Sequence, residues 1–198
     1  MTSVDSLLGL IIYTEGLKKE LRNSWLSNGR RESVADHSWR MAMMAIVLIP
    51  RTKLDLNIEK VLKMAIIHDL AEIETGDIPT IHQTSEVIAQ KSKDEDRAFL
   101  KISSMLEDMV TDELYELWQE FENQKTPEAR FVKAIDKLEC VIQKNQQSVD
   151  KSPGASGYFE KLANLCADDS MLNDFYNRVV EDVKNRDHMT GDQLKEMG

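Results

Sequence analysis

Residues 61–67, VLKMAII, form a mostly apolar run that leads straight into His68 and Asp69. Glu72 and Asp77 follow, so four potential ligand or acid/base groups fall within ten residues of the segment AIIHDLAEIETGDIPT (65–80). Burying a histidine and carboxylates beside such a run is costly unless something pairs with them. One divalent cation could satisfy several of them at once. His37, in ESVADHSWR, and Asp136, in FVKAIDKLE, are further candidates for the same role. Together these residues read as a hydrolytic metal site spread over three helices.

The chain has 198 residues, which suits one domain with a substantial core. Four prolines and eight glycines are few, and favour long helices over a turn-rich β architecture. The net charge of −10 argues against a nucleic-acid polymer or an anionic membrane as the main partner. A small basic zone, Lys18, Lys19, Arg22, Arg30 and Arg31, runs against that balance. It could hold one small anion such as a phosphate; the simpler reading is a solvated basic face. Cys140 and Cys166 show no C-x-x-C spacing and read as reduced thiols of an intracellular protein, neither of them a metal ligand. The N-terminus lacks a basic region and a cleavage site, and the run 41–50 is far short of the roughly 20 residues of a membrane span. A cytoplasmic location is the expectation.

Leu7, Leu8, Ile11 and Ile12 repeat at helical spacing, and Leu17 and Leu21 continue the pattern after Gly16. The polar stretch from Asn23 to Arg31 reads as a loop. Ser33 and Asp36 form a capping-box pattern that opens a helix from about Val34 to Ile49, with His37 in its first turn. The next helix starts near Ile58 and runs through Ile73, with Asp69 extending its buried stripe and His68 and Glu72 sharing a neighbouring face. Gly76 stops it, which leaves Asp77 in a tight loop. Residues 87–109 read as a helix, and Leu114, Leu117, Trp118 and Phe121 as a short one. Thr126-Pro127-Glu128 starts another helix, with Phe131, Ile135, Leu138 and Ile142 on its core face and Asp136 beside it. A final helical region spans about 158–183, with a break at Asp168-Asp169-Ser170. Trp39, Trp118 and the methionines Met41, Met43, Met44 and Met64 read as packing residues, and His82 and His188 as surface histidines. Trp25 stands in the presumed loop, where it could cover a base or simply pack.

Taken alone, the His-Asp dipeptide is weak, because a histidine near a core is more often hydrogen-bonded than metal-bound. The larger set is stronger. Two imidazoles and two carboxylates suit a borderline or hard divalent ion: cobalt, manganese, iron, nickel, zinc or magnesium.

The pattern H…HD…D within ESVADHSWRMA and IIHDLAEIETGDIPT resembles that of the HD-domain phosphohydrolases, and more narrowly their 5′-deoxynucleotidase branch. The likeness runs from Arg22 to about Ile142 and is strongest in residues 32–44 and 65–80. It implies an all-α, compact single-domain helical bundle over residues 1–198, with a core at about 22–145, C-terminal helices at about 158–185 and a frayed tail after 186. It implies metal ligation by His37, His68, Asp69 and Asp136. Glu72 matches the family's catalytic acid, and Arg22, fifteen residues before His37, matches its phosphate-binding arginine. Asp77, with Ile78, Pro79 and Thr80, matches the loop that receives the sugar and phosphate. The family often has tryptophan after that arginine, where this chain has Asn23; Trp25 is out of register. The sugar preference and the number of phosphates therefore stay open.

The resemblance implies a metal-dependent hydrolase of deoxynucleoside monophosphates that acts as a homodimer. The alternatives are a hydrolase of nucleoside triphosphates or of a modified nucleotide, and a non-catalytic metal- and nucleotide-binding module. Arg22, Glu72 and Asp77 would be superfluous in the last.

Overall fold

The computed structural model describes residues 3–78, 85–106, 109–147 and 156–187. The described elements are α1 (Val4–Tyr13), α2 (Gly16–Lys19), β1 (Leu21–Trp25), β2 (Arg31–Ser33), α3 (Val34–Leu48), α4 (Ile58–Ile67), α5 (Glu72–Thr75), α6 (Ser85–Ser103), α7 (Met109–Asn123), α8 (Pro127–Gln146), α9 (Ser156–Cys166) and α10 (Ser170–Asp187). A 3₁₀ turn, Ile49–Arg51, carries Pro50 just past the end of α3. Among the described residues the architecture is all-α apart from one small hairpin.

α8 is the central helix and packs against α3, α4, α7, α9 and α10. Its start follows from its first residues. Thr126 accepts a hydrogen bond from the Ala129 amide, and Pro127 occupies the first turn, where no amide donor is needed. Phe131, Val132, Ile135 and Leu138 are fully buried. They meet Met41, Ala45 and Leu48 of α3 and Val61, Met64 and Ala65 of α4 in one apolar cluster, which Phe99, Trp118 and Phe121 close on the other side. α3 opens on the expected capping box: Ser33 Oγ accepts from the Asp36 amide, and Asp36 Oδ2 accepts from the Ser33 amide at 2.8 Å.

Four elements differ from the sequence reading. The stretch read as a loop is an antiparallel hairpin, with Leu21 opposite Ser33 and Trp25 opposite Arg31 and a bulge between. Its inward residues, Arg22 and Ser24, are polar, so alternation gave no hydrophobic signal. The long helix through Ile73 stops at Ile67 and resumes at Glu72. Between them the backbone tightens to three-residue steps, with the Leu70 amide on the Ile67 carbonyl and the Glu72 amide on the Asp69 carbonyl, both at 2.9 Å. Asp69 is thereby turned off the buried stripe and stays partly exposed. The helix read at 87–109 ends at Ser103, and α7 is longer than expected.

Surface positions also depart from expectation. Trp39 is 66% exposed and Met43 is 40% exposed, so neither packs in the core. With Ile46 and Val47 they form the outer face of α3, at spacings of three and four residues. Trp118 is buried and stacks on Phe99 at 4.6 Å. α1 buries none of its own residues. Pro79, Thr80, His82 and His188 lie outside the described residues.

Candidate metal centre and active site

Three helices bring the predicted ligands together. His37 comes from the first turn of α3, His68 and Asp69 from the turn that follows α4, and Asp136 from the middle of α8. His37 Nε2 lies 3.5 Å from Asp136 Oδ1 and 4.0 Å from Asp69 Oδ2, and His68 Nε2 lies 3.0 Å from Asp69 Oδ2. The two imidazole rings are 5.4 Å apart.

Each ring has its other nitrogen occupied. His37 Nδ1 is 2.5 Å from Glu139 Oε2, and His68 Nδ1 is 3.1 Å from the Ala65 carbonyl. Both Nε2 atoms are buried and make no hydrogen bond. A buried polar atom without a partner is costly, and two of them aimed at a pair of carboxylates is the signature of a cation site. The donor set therefore fits a divalent ion. His37, His68 and Asp69 form one group of mutually close donors, and His37, Asp136 and Cys140 form a second that shares His37. Cys140, read from sequence as a reduced thiol and not a metal ligand, thus borders the centre; it lies on α8 one turn after Asp136.

The electrostatics agree. Burial opposes charge on Asp69, yet His68, His37 and Arg22 hold its carboxyl well below the usual range. Burial likewise opposes charge on Asp136, which Lys137, His37 and Lys133 overcome. On His37, burial and Arg22 disfavour the cation, but Glu139 and Asp136 outweigh them and raise its pKa. These shifts describe a pocket in which Asp69 and Asp136 stay ionised and His37 is drawn toward positive charge.

Arg22 reaches the centre from β1. Its Nε is 3.2 Å from Glu32 Oε2, its Nη1 3.5 Å from Asp69 Oδ2, and its Nη2 donates to Cys140 Sγ at 3.0 Å. The other four members of the basic zone do not enter. Lys18 and Lys19 are exposed, Arg30 pairs with Asp36, and Arg31 donates to the Leu21 and Arg22 carbonyls. For those four the solvated-face reading holds.

Glu72, at the start of α5, is buried, with Oε1 3.1 Å from Lys91 Nζ and Oε2 without a hydrogen bond. Burial and the neighbouring Asp69 push its pKa up to about 9, against the pull of Lys91. Asp77 follows Gly76, whose φ of +73° turns the chain out of α5, and the Asp77 amide donates to Glu20 Oε1 at 3.1 Å. Its carboxylate lies near enough to act electrostatically on both Arg22 and Glu72. Ile78 ends the described part of that loop.

Sequence reasoning missed Glu32, Glu139, Lys91 and Lys137. Glu32 and Glu139 are fully buried. Glu32 is pushed up to about 7 by burial and by Glu139, although Arg22 and His37 pull it down. In sequence, each of these four is a charged residue among other charged residues, which reads as a solvated surface.

A comparison with known proteins decides the family. The family model of the HD domain matches residues 14–168. The chain belongs to the HD-domain family. Among its HD relatives, the 5′-deoxynucleotidase HDDC2 of Danio rerio is 36% identical over 154 residues, which are 76% of this chain and 74% of that protein. The 5′-deoxynucleotidase HDDC2 of Homo sapiens is 36% identical over 152 residues, 75% of this chain and 72% of that one. A crystal structure titled a predicted metal-dependent phosphohydrolase from Magnetospirillum magnetotacticum MS-1 shares the HD fold at a TM-score of 0.76, with 26% identity and 96% of each chain covered.

Proposed function

We propose that this HD-domain protein is a metal-dependent phosphohydrolase that removes the phosphate from deoxynucleoside 5′-monophosphates. The observation that carries the reading is the convergence of two buried imidazole nitrogens, both without a hydrogen bond, on Asp69 and Asp136 beside the Arg22 guanidinium. The relatives named 5′-deoxynucleotidase support the same substrate class.

His37, His68, Asp69 and Asp136 would hold the ion; cobalt, manganese, iron, nickel, zinc and magnesium all accept such ligands. A bound divalent ion supplies positive charge at a phosphate oxygen and acidifies water. Arg22 binds the phosphate. Its planar fork suits two phosphate oxygens, and Glu32 on its Nε fixes the direction of the other two nitrogens. Glu72 moves the proton. Lys91 anchors one of its oxygens and leaves the other to take a proton from water and pass one to the leaving sugar oxygen. Asp77 accepts a hydrogen bond from a sugar hydroxyl, and the sequence match to the family's sugar- and phosphate-receiving segment extends over Ile78, Pro79 and Thr80.

Among the described residues no helix is long and apolar enough to cross a membrane. We place the protein in the cytoplasm as a homodimer, with the apolar outer face of α3 as the contact.

The deciding experiment is phosphate counting on a panel of ribo- and deoxynucleoside mono-, di- and triphosphates with cobalt, manganese, magnesium or iron(II), and EDTA as control. Inorganic phosphate from deoxynucleoside monophosphates, abolished by chelation, is the expected result. Release of pyrophosphate or triphosphate would move the substrate to the triphosphates. Full turnover after chelation would overturn the metal reading.

A further inference from the structure

Glu139 is the most completely enclosed carboxylate near the centre: its side chain and that of His37 both have 0% exposure. It sits one turn after Asp136 on α8, so the same helix face presents the proposed ligand and this second acid. Its Oε2 is 2.5 Å from His37 Nδ1, and its Oε1 faces Arg40 Nη1 at 3.4 Å. Arg40 is tied in turn to Gln143 and Gln146 on α8. Gln143 donates to the Trp25 carbonyl at 2.5 Å, so the support reaches the hairpin that carries Arg22.

A neutral imidazole has one N–H and one bare nitrogen, and only the bare one can ligate a metal. An ionised carboxylate can only accept, so a carboxylate against Nδ1 holds the ring proton there. We propose that Glu139 is a positioning residue that fixes the His37 proton on Nδ1 and leaves Nε2 free to ligate. His68 solves the same problem with the Ala65 carbonyl, which also can only accept. Each candidate imidazole is therefore oriented by an acceptor that admits one tautomer.

The inference rests on the reading of His37 as a ligand, and the geometry supplies a test that separates the two. In Glu139→Gln the amide has one accepting and one donating end. Arg40 presents only donors, so it draws the amide oxygen to itself and turns the NH₂ toward His37 Nδ1. The NH₂ must then donate to Nδ1, which drives the ring proton onto Nε2 and blocks ligation. Removing the guanidinium in Glu139→Gln/Arg40→Met lets the amide turn back and accept from Nδ1.

Cobalt affinity is measured by the visible absorption of the bound ion, with thermal unfolding run alongside. Glu139→Gln is expected to weaken cobalt binding 10- to 100-fold. The double variant is expected to recover most of that loss, which a merely structural role for Glu139 would not allow. In the zinc-loaded wild-type protein, long-range ¹H–¹⁵N correlation on labelled histidine is expected to show the His37 proton on Nδ1. That spectrum decides the matter even if a variant fails to fold, and a proton on Nε2 overturns the inference. Wild-type cobalt affinity in folded Glu139→Gln overturns it as well. If His37→Ala itself keeps full cobalt affinity, the ligand reading falls, and the inference falls with it. If His37→Ala loses the ion while Glu139→Gln keeps it, only the inference about Glu139 falls.

Discussion

Glu72 has one oxygen on Lys91 and one without a hydrogen bond, three residues after Asp69 in a tightened turn. That arrangement leaves the free oxygen to exchange a proton and gives the residue no part in the metal set. Glu72→Ala is expected to lower kcat by roughly 10²- to 10⁴-fold, the usual contribution of a general acid/base, with KM and bound metal nearly unchanged. Steady-state kinetics and metal analysis on the same preparation check this; retained kcat would remove the role. At this scale the candidate ligands were legible because they break apolar patterns: His68 and Asp69 end an aliphatic run, and Asp136 borders a core stripe. Glu139 was not legible. It is 102 residues from His37 and follows a lysine and a leucine in an ordinary amphipathic helix, so only the packing of α3 on α8 exposes its task.

Helix α2 approaches α5 so closely that a Cβ on Gly16 would lie 2.6 Å from Ile73 Cγ2. Ile73 adjoins Glu72, so this contact sets where the catalytic candidate stands. Gly16→Ala must push α5 away, at about 1–3 kcal/mol for overpacking. It is expected to lower kcat while leaving the metal site filled, which denaturant melts and turnover on the same variant check. Far from the site, Asp169 caps α10 through the Met171 and Leu172 amides at 2.9 and 3.1 Å and accepts from the Lys53 amide at 2.8 Å. Burial opposes its charge, but these amides hold its pKa below the ordinary value near 3.9. A depressed carboxylate contributes stability above its unfolded pKa and loses it as pH falls through the folded one. Asp169→Asn is therefore expected to be less stable than wild type at neutral pH, with the gap closing below about pH 4; urea melts across pH read this directly. The helices were legible from their caps and stripes. The hairpin was not, because its inward residues, Arg22 and Ser24, are polar and give the core nothing apolar. The break after Ile67 was also hidden, since no glycine or proline marks it.

Among the described residues two helix faces are apolar and exposed: α1, with Val4, Leu7, Leu8, Ile11 and Ile12, and the outer face of α3. Trp39, Met43, Ile46 and Val47 line the outer face of α3, the helix whose inner face carries His37, and each is at least 40% exposed. The sequence reading took Met43 and Trp39 as packing residues, and in the isolated chain they stand outside the core cluster; a second copy would give them the burial their chemistry calls for. Charge works against that association, because each copy carries −10 and the two would repel. Salt screens repulsion over about 10 Å at 0.1 M while leaving apolar burial intact, so the dimer is expected to tighten as ionic strength rises. Sedimentation equilibrium at low and at physiological salt checks the trend. Trp39→Glu removes the largest apolar side chain of the face and adds a like charge on each copy. It is expected to yield monomer at every salt concentration, with an unchanged melt of the helical fold because Trp39 is 66% exposed and stands outside the core cluster. A Trp39→Glu protein that still sediments as a dimer would move the contact to another face and leave the exposed stripe on α3 without a role.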